Sequence, residues 1–389
     1  MILTGLAFLT LIAWLYLTLL HGRFWSARIP TAPQWAPPSG QWPRVRVVVP
    51  ARNEADVIAN TVASILAQDY PGEMQLVVVD DHSDDGTADI AQRAAVDANH
   101  ADRLTVLRAQ PLPTGWTGKV WAMNQGAEMP GEPHDYVWFT DADILHKPCV
   151  LRELIARAEG DQRDLVSRMA LLCTDVFWER LMIPAFVYFF QLLYPFNWGN
   201  NRQRNMAAAA GGCVLLRRSR LEAIGGVSAI RDALIDDCTL ARKVKESGGS
   251  LWLELTRDCV SARGYGSLGG LWNMIARTAY TQLYYNPLIL LGCVLGLGLT
   301  FLAPLFVPII AAASGSPVAL GASGLAWCLM TVTFVPMARF YFPKCGIGTL
   351  GVALALPLTA LLYLGATIHS AIRYHRGVGG QWKGRAQAA

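Results

Sequence analysis

The chain has 389 residues, of which 53% are hydrophobic and only 16% charged, with a net charge of +4. A soluble domain carries about 25% charged residues, so part of this chain is built for an apolar solvent. The cations are scattered rather than interleaved with aromatics, which argues against a nucleic-acid partner.

Long uncharged runs lie towards the two ends and leave a middle of ordinary composition, long enough for one well-cored domain. No two of the eight cysteines have Cys-x-x-Cys spacing, so neither a zinc site nor a redox dithiol is supported. Scattered cysteines in apolar surroundings act as small buried residues and fit a reducing compartment.

Ile2 to Leu20 is uncharged and apolar over 19 residues, close to the ~20 needed to span a bilayer. A signal peptide would want a basic start and small residues at a cleavage site. Neither is there, so 1–21 reads as an uncleaved anchor. Arg23 and Arg28 favour the cytoplasm on its C-terminal side. Residues 22–43 form a juxtamembrane linker. Its Pro30 to Pro43 part has five prolines and no charge, and should lie near the membrane surface.

Arg44 opens the globular part. Val45 to Pro50 and Met74 to Asp80 are strands, each followed by a turn and a helix, over about 56–67 and from Thr87 to about Ala98. Leu104 to Leu107 is a third strand, and Thr117 to Glu128 a helix. Tyr136 to Phe139 is a short buried strand that runs into Asp141-Ala142-Asp143. This alternation predicts an α/β fold with a mainly parallel sheet and helices on both faces. Ligands in such folds sit beyond the carboxyl ends of the strands, where Asp80, Asp81, Asp141 and Asp143 all fall.

A helix over Cys149 to Arg157 and a strand over Asp164 to Leu172 follow. Leu181 to Trp198 is aromatic, short for a span and broken by Pro184 and Pro195, which suggests an interfacial helix. A core helix on the sheet is the alternative. Gly211-Gly212 is a turn entering a strand, and Asp236 and Asp237 start a helix. One Asp would suffice as a cap. Ser250 to Leu255 and Asp258 to Ala262 are expected as closing strands, and 267–286 as a second interfacial helix carrying Arg277. Three apolar runs, Pro287 to Ala312, Val318 to Met337 and Gly348 to His369, are each long enough to span. Arg339 and Lys344 after the second run ask to be inside, and so does the basic tail 372–389 with Arg373, Arg376, Lys383 and Arg385. Three spans cannot satisfy both, so either the tail breaks the charge rule or one run is re-entrant.

Carboxylates at the end of a buried strand are costly unless a cation or donor satisfies them. Mg²⁺ or Mn²⁺ on Asp143 and Asp141, gripping a diphosphate, is one reading. A solvated Asx-rich turn is the other. With the rest of the chain, a division of labour for nucleotide-sugar transfer emerges. The strand end from Val47 to Glu54, including Pro50 and Ala51, with Asp80 and Asp81, would take base and ribose. Asp237 would be a general base, and Arg277 would pair with phosphate.

The motifs Val-Val-Val-Pro-Ala-Arg-Asn-Glu at 47–54, Val-Val-Asp-Asp-His-Ser-Asp-Asp-Gly-Thr at 78–87 and Gly-Trp-Thr-Gly-Lys-Val-Trp-Ala at 115–122 come in order. Asp-Ala-Asp at 141–143, Gly-Gly at 211–212 and Ile-Asp-Asp at 235–237 complete them. Together they resemble the inverting family-2 glycosyltransferases of the GT-A fold over about residues 44–280. The resemblance implies a GT-A catalytic domain over 44–266 and recognition of uracil by Asp81 with Asp80. It places Lys119, Asp141 and Ala142 by the donor, a divalent cation on Asp143, Gly211 and Gly212 on the acceptor side, and Asp237 as the base beside Asp236. The family's Gln-x-x-Arg-Trp motif survives here only as Arg277 in Ile275-Ala-Arg-Thr-Ala279.

The flanking apolar runs over 1–21 and 287–371 and the Trp382-Lys-Gly-Arg385 tail resemble lipid-directed members, most closely the hopene-associated glycosyltransferases of bacterial hopanoid clusters. The resemblance therefore implies a UDP-sugar donor, a lipid acceptor, and a multi-pass protein of the bacterial inner membrane with its catalytic domain in the cytoplasm. A polysaccharide synthase would want more spans for a channel. A non-catalytic nucleotide-binding scaffold would be expected to lack Asp143 or Asp237.

Overall fold

The computed structural model describes residues 1–344, 346–377, 381–382 and 385–386. Cys345 and, in the basic tail, Lys383 lie outside them. The chain forms two compact units: Ile29–Cys173 with Trp198–Arg263 and Gln381–Ala389, and Met1–Arg28 with Thr174–Asn197 and Gly264–Gly380.

The first unit is built on eight strands: β1 (Val45–Ala51), β2 (Met74–Asp80), β3 (Leu104–Arg108), β4 (Tyr136–Phe139), β5 (Ile144–His146), β6 (Leu165–Leu171), β7 (Val214–Arg217) and β8 (Leu251–Ser261). Their order in the sheet is β3-β2-β1-β4-β7-β6-β8-β5. β1 to β4 pair in parallel, β7 runs antiparallel to both β4 and β6, β8 is parallel to β6, and β5 antiparallel to β8. This is the mainly parallel α/β sheet of a GT-A fold. The two closing strands expected at 250–262 are one strand, Leu251–Ser261.

Alternation along β1 divides the core. Val45, Val47 and Val49 face Ile58, Val62 and Ile65 of the Ile58–Leu66 helix, while Val48 faces Val120 and Met123 of the Gly118–Ala127 helix. A strand buried on both faces reads as a continuous apolar run, and Val47-Val-Val-Pro50 is one. Each Å² of apolar area these two layers bury stabilises the unit by about 25 cal/mol.

The proline-rich linker is strapped to this unit. The Arg157 guanidinium donates to the Thr31 carbonyl at 2.6 Å. Trp35, Trp42 and Tyr70 stack edge to face at 5.6 and 5.5 Å, and the Tyr70 hydroxyl donates to the Pro43 carbonyl at 2.5 Å.

The second unit is helical. Ile2–Leu19, Pro287–Ala313 and Pro317–Tyr341 are each long and apolar enough to cross a membrane, and Gly348–Leu354 with Leu356–His375 is an apolar pair bent by 51°. A π turn at Gly298–Leu302 lies within the second of these. Pro304 has no N–H to offer the Thr300 carbonyl four residues back, and the Trp14 indole donates to that carbonyl instead, at 2.6 Å.

The Phe177–Leu193 helix starts just before the expected 181–198 segment and buries Tyr188, whose hydroxyl meets Thr333 Oγ1 at 2.8 Å. Within this unit it packs on the Pro317–Tyr341, Leu268–Gln282 and Leu356–His375 helices. Buried Glu179 collects N–H groups from Asp175, Val176, Tyr265 and Gly266. Burial alone would raise its carboxyl; these donors hold it below its ordinary value.

Candidate active site

The site forms where β1, β2 and β4 end and β7 begins. Beyond β1 the chain stays tied to β2: the Asp81 N–H donates to the Ala51 carbonyl at 2.8 Å. Asn53 takes a left-handed conformation, φ 51°. Its N–H reaches Ser83 Oγ at 3.0 Å, and its side chain accepts the Asp84 N–H at 3.1 Å. The Glu54 N–H reaches Thr87 Oγ1 at 2.9 Å, and Ala55 N–H reaches the Asp85 carboxylate at 3.0 Å. Asp85 is thus a structural cap that locks two loops together. Asp80 and Asp81 are buried at the end of β2, with the Arg52 guanidinium 3.7 Å from the Asp81 carboxylate.

After β4 the chain turns sharply. The Ala142 carbonyl accepts from Thr61 Oγ1 at 2.7 Å, and the Asp143 carbonyl from the Ala262 N–H at 2.7 Å. Both flanking carboxylates are thereby carried on a backbone fixed from below. Register places Phe139 opposite Val214, so the residues before β7 lie beside this turn. Thr140 Oγ1 donates to the Gly212 carbonyl at 2.9 Å. A Cβ on Gly212 would lie 3.2 Å from Ile144 Cγ1, and one on Gly211 would lie 3.4 Å from both Asp237 Oδ2 and Lys119 Nζ. The glycine pair is there because the turn packs this closely.

The Asp236–Glu246 helix closes the site. Leu240 and Val244 anchor it in the same layer as Val120. Asp237 accepts the Gly211 N–H at 2.7 Å through Oδ2 and the Cys238 N–H at 2.7 Å through Oδ1. Lys119, in the first turn of the Gly118–Ala127 helix, lies 2.8 Å from Asp141 Oδ1 and 3.0 Å from Asp236 Oδ2. One ammonium thereby ties the β4 turn to the start of the Asp236 helix.

The charge balance is uneven. Burial would lower Lys119, but Asp141 and Asp236 outweigh it and hold the ammonium charged above its ordinary range. Asp143 is pushed up to about 6 by burial, then by Asp141 and Glu54, with Arg263 opposing. Asp237 is pushed up to about 6 by burial and Asp236, with Lys119 and the two N–H donors opposing. Two carboxyls that resist ionisation, one in the β4 turn and one at the helix start, mark a site short of positive charge.

Pro50, Lys119, Asp141, Gly211, Asp236 and Asp237 line one pocket. Ala51 and Ala142 are buried beneath it as backbone supports. Arg277 belongs to the helical unit, exposed on the Leu268–Gln282 helix.

Two features escaped the sequence reading. Arg263 lies 2.7 Å from Glu54 Oε2 and also pairs with Asp56; its place just after the last strand was the available signal. Behind the turn, Thr140 Oγ1 meets His146 Nε2 at 2.8 Å, and His146 Nδ1 meets Cys259 Sγ at 3.4 Å. With Cys213 they form a buried cluster whose ligand atoms lie within 4.8 Å of one another. Burial pushes His146 down to about 3 and keeps it neutral. Cysteines 46 residues apart gave no spacing signal for it.

The chain is similar to known glycosyltransferases in sequence and fold. The chain is 25% identical over 222 residues to the "Probable glycosyltransferase YdaM" of Bacillus subtilis, covering 56% of this chain and 50% of that protein. It is 37% identical over 87 residues to the "Beta-monoglucosyldiacylglycerol synthase" of Trichormus variabilis, covering 22% of this chain and 18% of that one. The chain thus spans about half or less of the length of these relatives. The fold matches the mannosyltransferase PcManGT of Pyrobaculum calidifontis, solved with GDP-Man and Mn²⁺, with a TM-score of 0.55 at 20% identity over 95% of this chain and 98% of that one. Residues 46–225 match the family described as Glycosyl transferase family 2.

Proposed function

We propose that the protein is a membrane-bound, inverting, family-2 glycosyltransferase that moves a sugar from a UDP-sugar to a lipid hydroxyl. The observation that carries this reading is the Lys119 bridge between Asp141 and Asp236. Asp237 lines the same pocket as Asp141, which supports reading it as a base that faces a leaving-group site at the β4 turn.

Asp143 and Asp141 are the residues to hold Mg²⁺ or Mn²⁺. They fit a cation because Asp143, Asp141 and Glu54 repel one another in a buried setting, and a divalent ion relieves that repulsion. When bound, it neutralises the diphosphate that leaves. Pro50, Ala51, Glu54, Asp80 and Asp81 receive the nucleoside, and Lys119 and Arg277 pair with phosphate. Gly211 and Gly212 keep the acceptor side open. Asp237 takes the acceptor hydroxyl's proton as the oxygen–carbon bond forms and the bond to the diphosphate breaks. Its elevated basicity suits that task near neutral pH.

Three apolar helices of spanning length and the stretch shared with a glucosyldiacylglycerol synthase support a lipid acceptor at a bilayer. The resemblance to hopene-associated enzymes makes a hopanoid hydroxyl the acceptor to try first. Arg23, Arg28, Arg339 and Lys344 support a bacterial inner membrane with the catalytic unit on the cytoplasmic face, the anchor at 1–21 and surface-lying helices at 181–198 and 267–286.

The test is transfer of label from UDP-sugars by the purified full chain, with and without lipid extract. Label should pass into the organic phase only with both lipid and divalent cation. If no UDP-sugar is consumed with any lipid, or EDTA changes nothing, the reading fails.

A further inference from the structure

The third C-terminal apolar run has the composition of a span but is tied at both ends to one side of the helical unit. Pro287–Ala313 and Pro317–Tyr341, joined by the short turn at 314–316, read as two consecutive spans. Two crossings bring the chain back, so Phe342 lies on the same face as Tyr285.

The run starts at Phe342, whose carbonyl accepts from Thr349 Oγ1 at 3.3 Å. It ends beside Tyr285. Tyr374 stacks on Tyr285 at 4.3 Å. The Tyr280 N–H donates to Ser370 Oγ at 3.0 Å, and the Trp272 indole to His369 Nδ1 at 2.8 Å. Arg373 reaches Asn273 Oδ1 at 3.3 Å. A helix that starts at one interface and ends at the same one has not crossed.

The two faces of the bent pair agree. Thr359, Tyr363, Thr367 and Ser370 are buried, and Gly365 lets Trp272 approach so closely that a Cβ there would lie 2.7 Å from the indole. The opposite face is a continuous apolar stripe with nothing over it among the described residues: Leu350, Leu354, Leu358, Leu361, Ile368 and Ile372, between 38% and 51% exposed. Their spacing of 4, 4, 3, 7 and 4 residues keeps them on one side of the helices. Exposed Lys344 precedes the stripe and exposed Arg376 follows it. An apolar stripe bracketed by cations suits the boundary between acyl chains and anionic headgroups.

We propose that Gly346–Leu354 and Leu356–His375 form a bent interfacial platform, seated roughly 5–10 Å into the leaflet on the side of Tyr285, and not a third C-terminal span. The occupant of the stripe is lipid. The platform also removes the charge conflict: Arg339, Lys344, Arg373 and Arg376 all lie on one face, as the distribution of cations requires.

This rests on the two preceding helices being spans, but not on which face is cytoplasmic. The experiment labels Ser314→Cys, Lys344→Cys and Arg376→Cys with an impermeant maleimide in sealed vesicles of both orientations, taking the native chain's labelling as baseline. Arg376→Cys should label with Lys344→Cys and opposite to Ser314→Cys. A reversed protein would exchange the faces and keep that pattern. Arg376→Cys labelling with Ser314→Cys would overturn the platform. Should a variant fail to insert, trypsin on native vesicles reads the same relation, through cleavage after Lys344 and Arg376 from one side or from two. Lipids carrying a photoreactive group near the headgroup should mark Leu358 and Leu361 more heavily than lipids carrying it at the chain end. The reverse order would also overturn it.

Discussion

Two of the places where the sheet unit buries charge are arranged in opposite ways. Under β6 and β8, Arg168 lies 2.9 Å from Glu254 and 2.8 Å from Glu153. Arg157 lies 2.6 Å from Asp161 and 3.6 Å from Glu254. The Trp252 indole donates to Glu254 at 2.6 Å, and Arg157 covers the ring at 4.5 Å. Burial would lower Arg168, and Glu254 first among its neighbours holds it charged. This network is closed: carboxylates and guanidiniums answer one another. At the ends of β1 and β4, Asp141, Asp143, Asp236, Asp237 and Glu54 share Lys119 and Arg263, and Asp143 and Asp237 are left reluctant to ionise. The closed network holds the fold. The open one is where the proposed reading seats a cation and a diphosphate.

The comparison breaks most visibly at Arg168. Arg168→Met leaves Glu254 buried without its main partner, and removing one member of a buried pair costs about 3–5 kcal/mol. Denaturant unfolding of the sheet unit should show a loss of that order, with UDP affinity of the molecules still folded unchanged. Asp143→Asn should do the reverse. It removes a repelled carboxylate, so stability should hold or rise, while cation affinity falls at least about 10–100-fold, the loss seen even for groups behind the metal ligands. Calorimetric titration with Mn²⁺ and UDP reads this.

A smaller effect belongs to Lys119. A general base acts when ionised, and Asp237 is pushed up to about 6, so kcat/KM should fall as pH drops through about 6. Lys119 opposes the upward shift of Asp237; Lys119→Met removes that opposition and should move the acid limb to higher pH. A limb that stays put or moves down would separate Lys119 from the base. Smallest is Gly211→Ala. Its Cβ would meet Asp237 Oδ2 and Lys119 Nζ at 3.4 Å, at the edge of ordinary contact, so a few-fold loss of transfer with unchanged melting is expected.

Much of this was legible in the chain. Apolar runs ending in Asp80 and in Asp141-Ala-Asp143 located two strands and the sheet edge where the candidate site forms, because parallel strands buried on both faces leave a continuous hydrophobic signal. Asp236 and Asp237 stood out as one carboxylate more than a cap needs. The Lys119 bridge was not legible as geometry: residues 22 and 117 positions away in sequence meet it only through the fold. The His146, Cys213 and Cys259 cluster is likewise a product of sheet order. Composition separated apolar from polar runs but could not tell a crossing helix from a surface one, since both carry a lipid-facing stripe; the proposed distinction draws on contacts near the start of Gly346–Leu354 and at the end of Leu356–His375.

The claim at the centre of the account is that Asp237 removes the acceptor's proton while Asp236 only positions Lys119. Single-turnover transfer in Asp237→Asn and Asp236→Asn tests it directly, with UDP affinity measured alongside and product configuration read by NMR. Asparagine keeps the shape and can still accept the Gly211 N–H, so both variants should fold and bind UDP. Asp237→Asn should transfer about 10²–10⁴-fold more slowly, the usual worth of a general base, Asp236→Asn should lose clearly less, and an α-linked donor should give a β-linked product. Equal, small losses in both variants, or an α-linked product, would contradict the account.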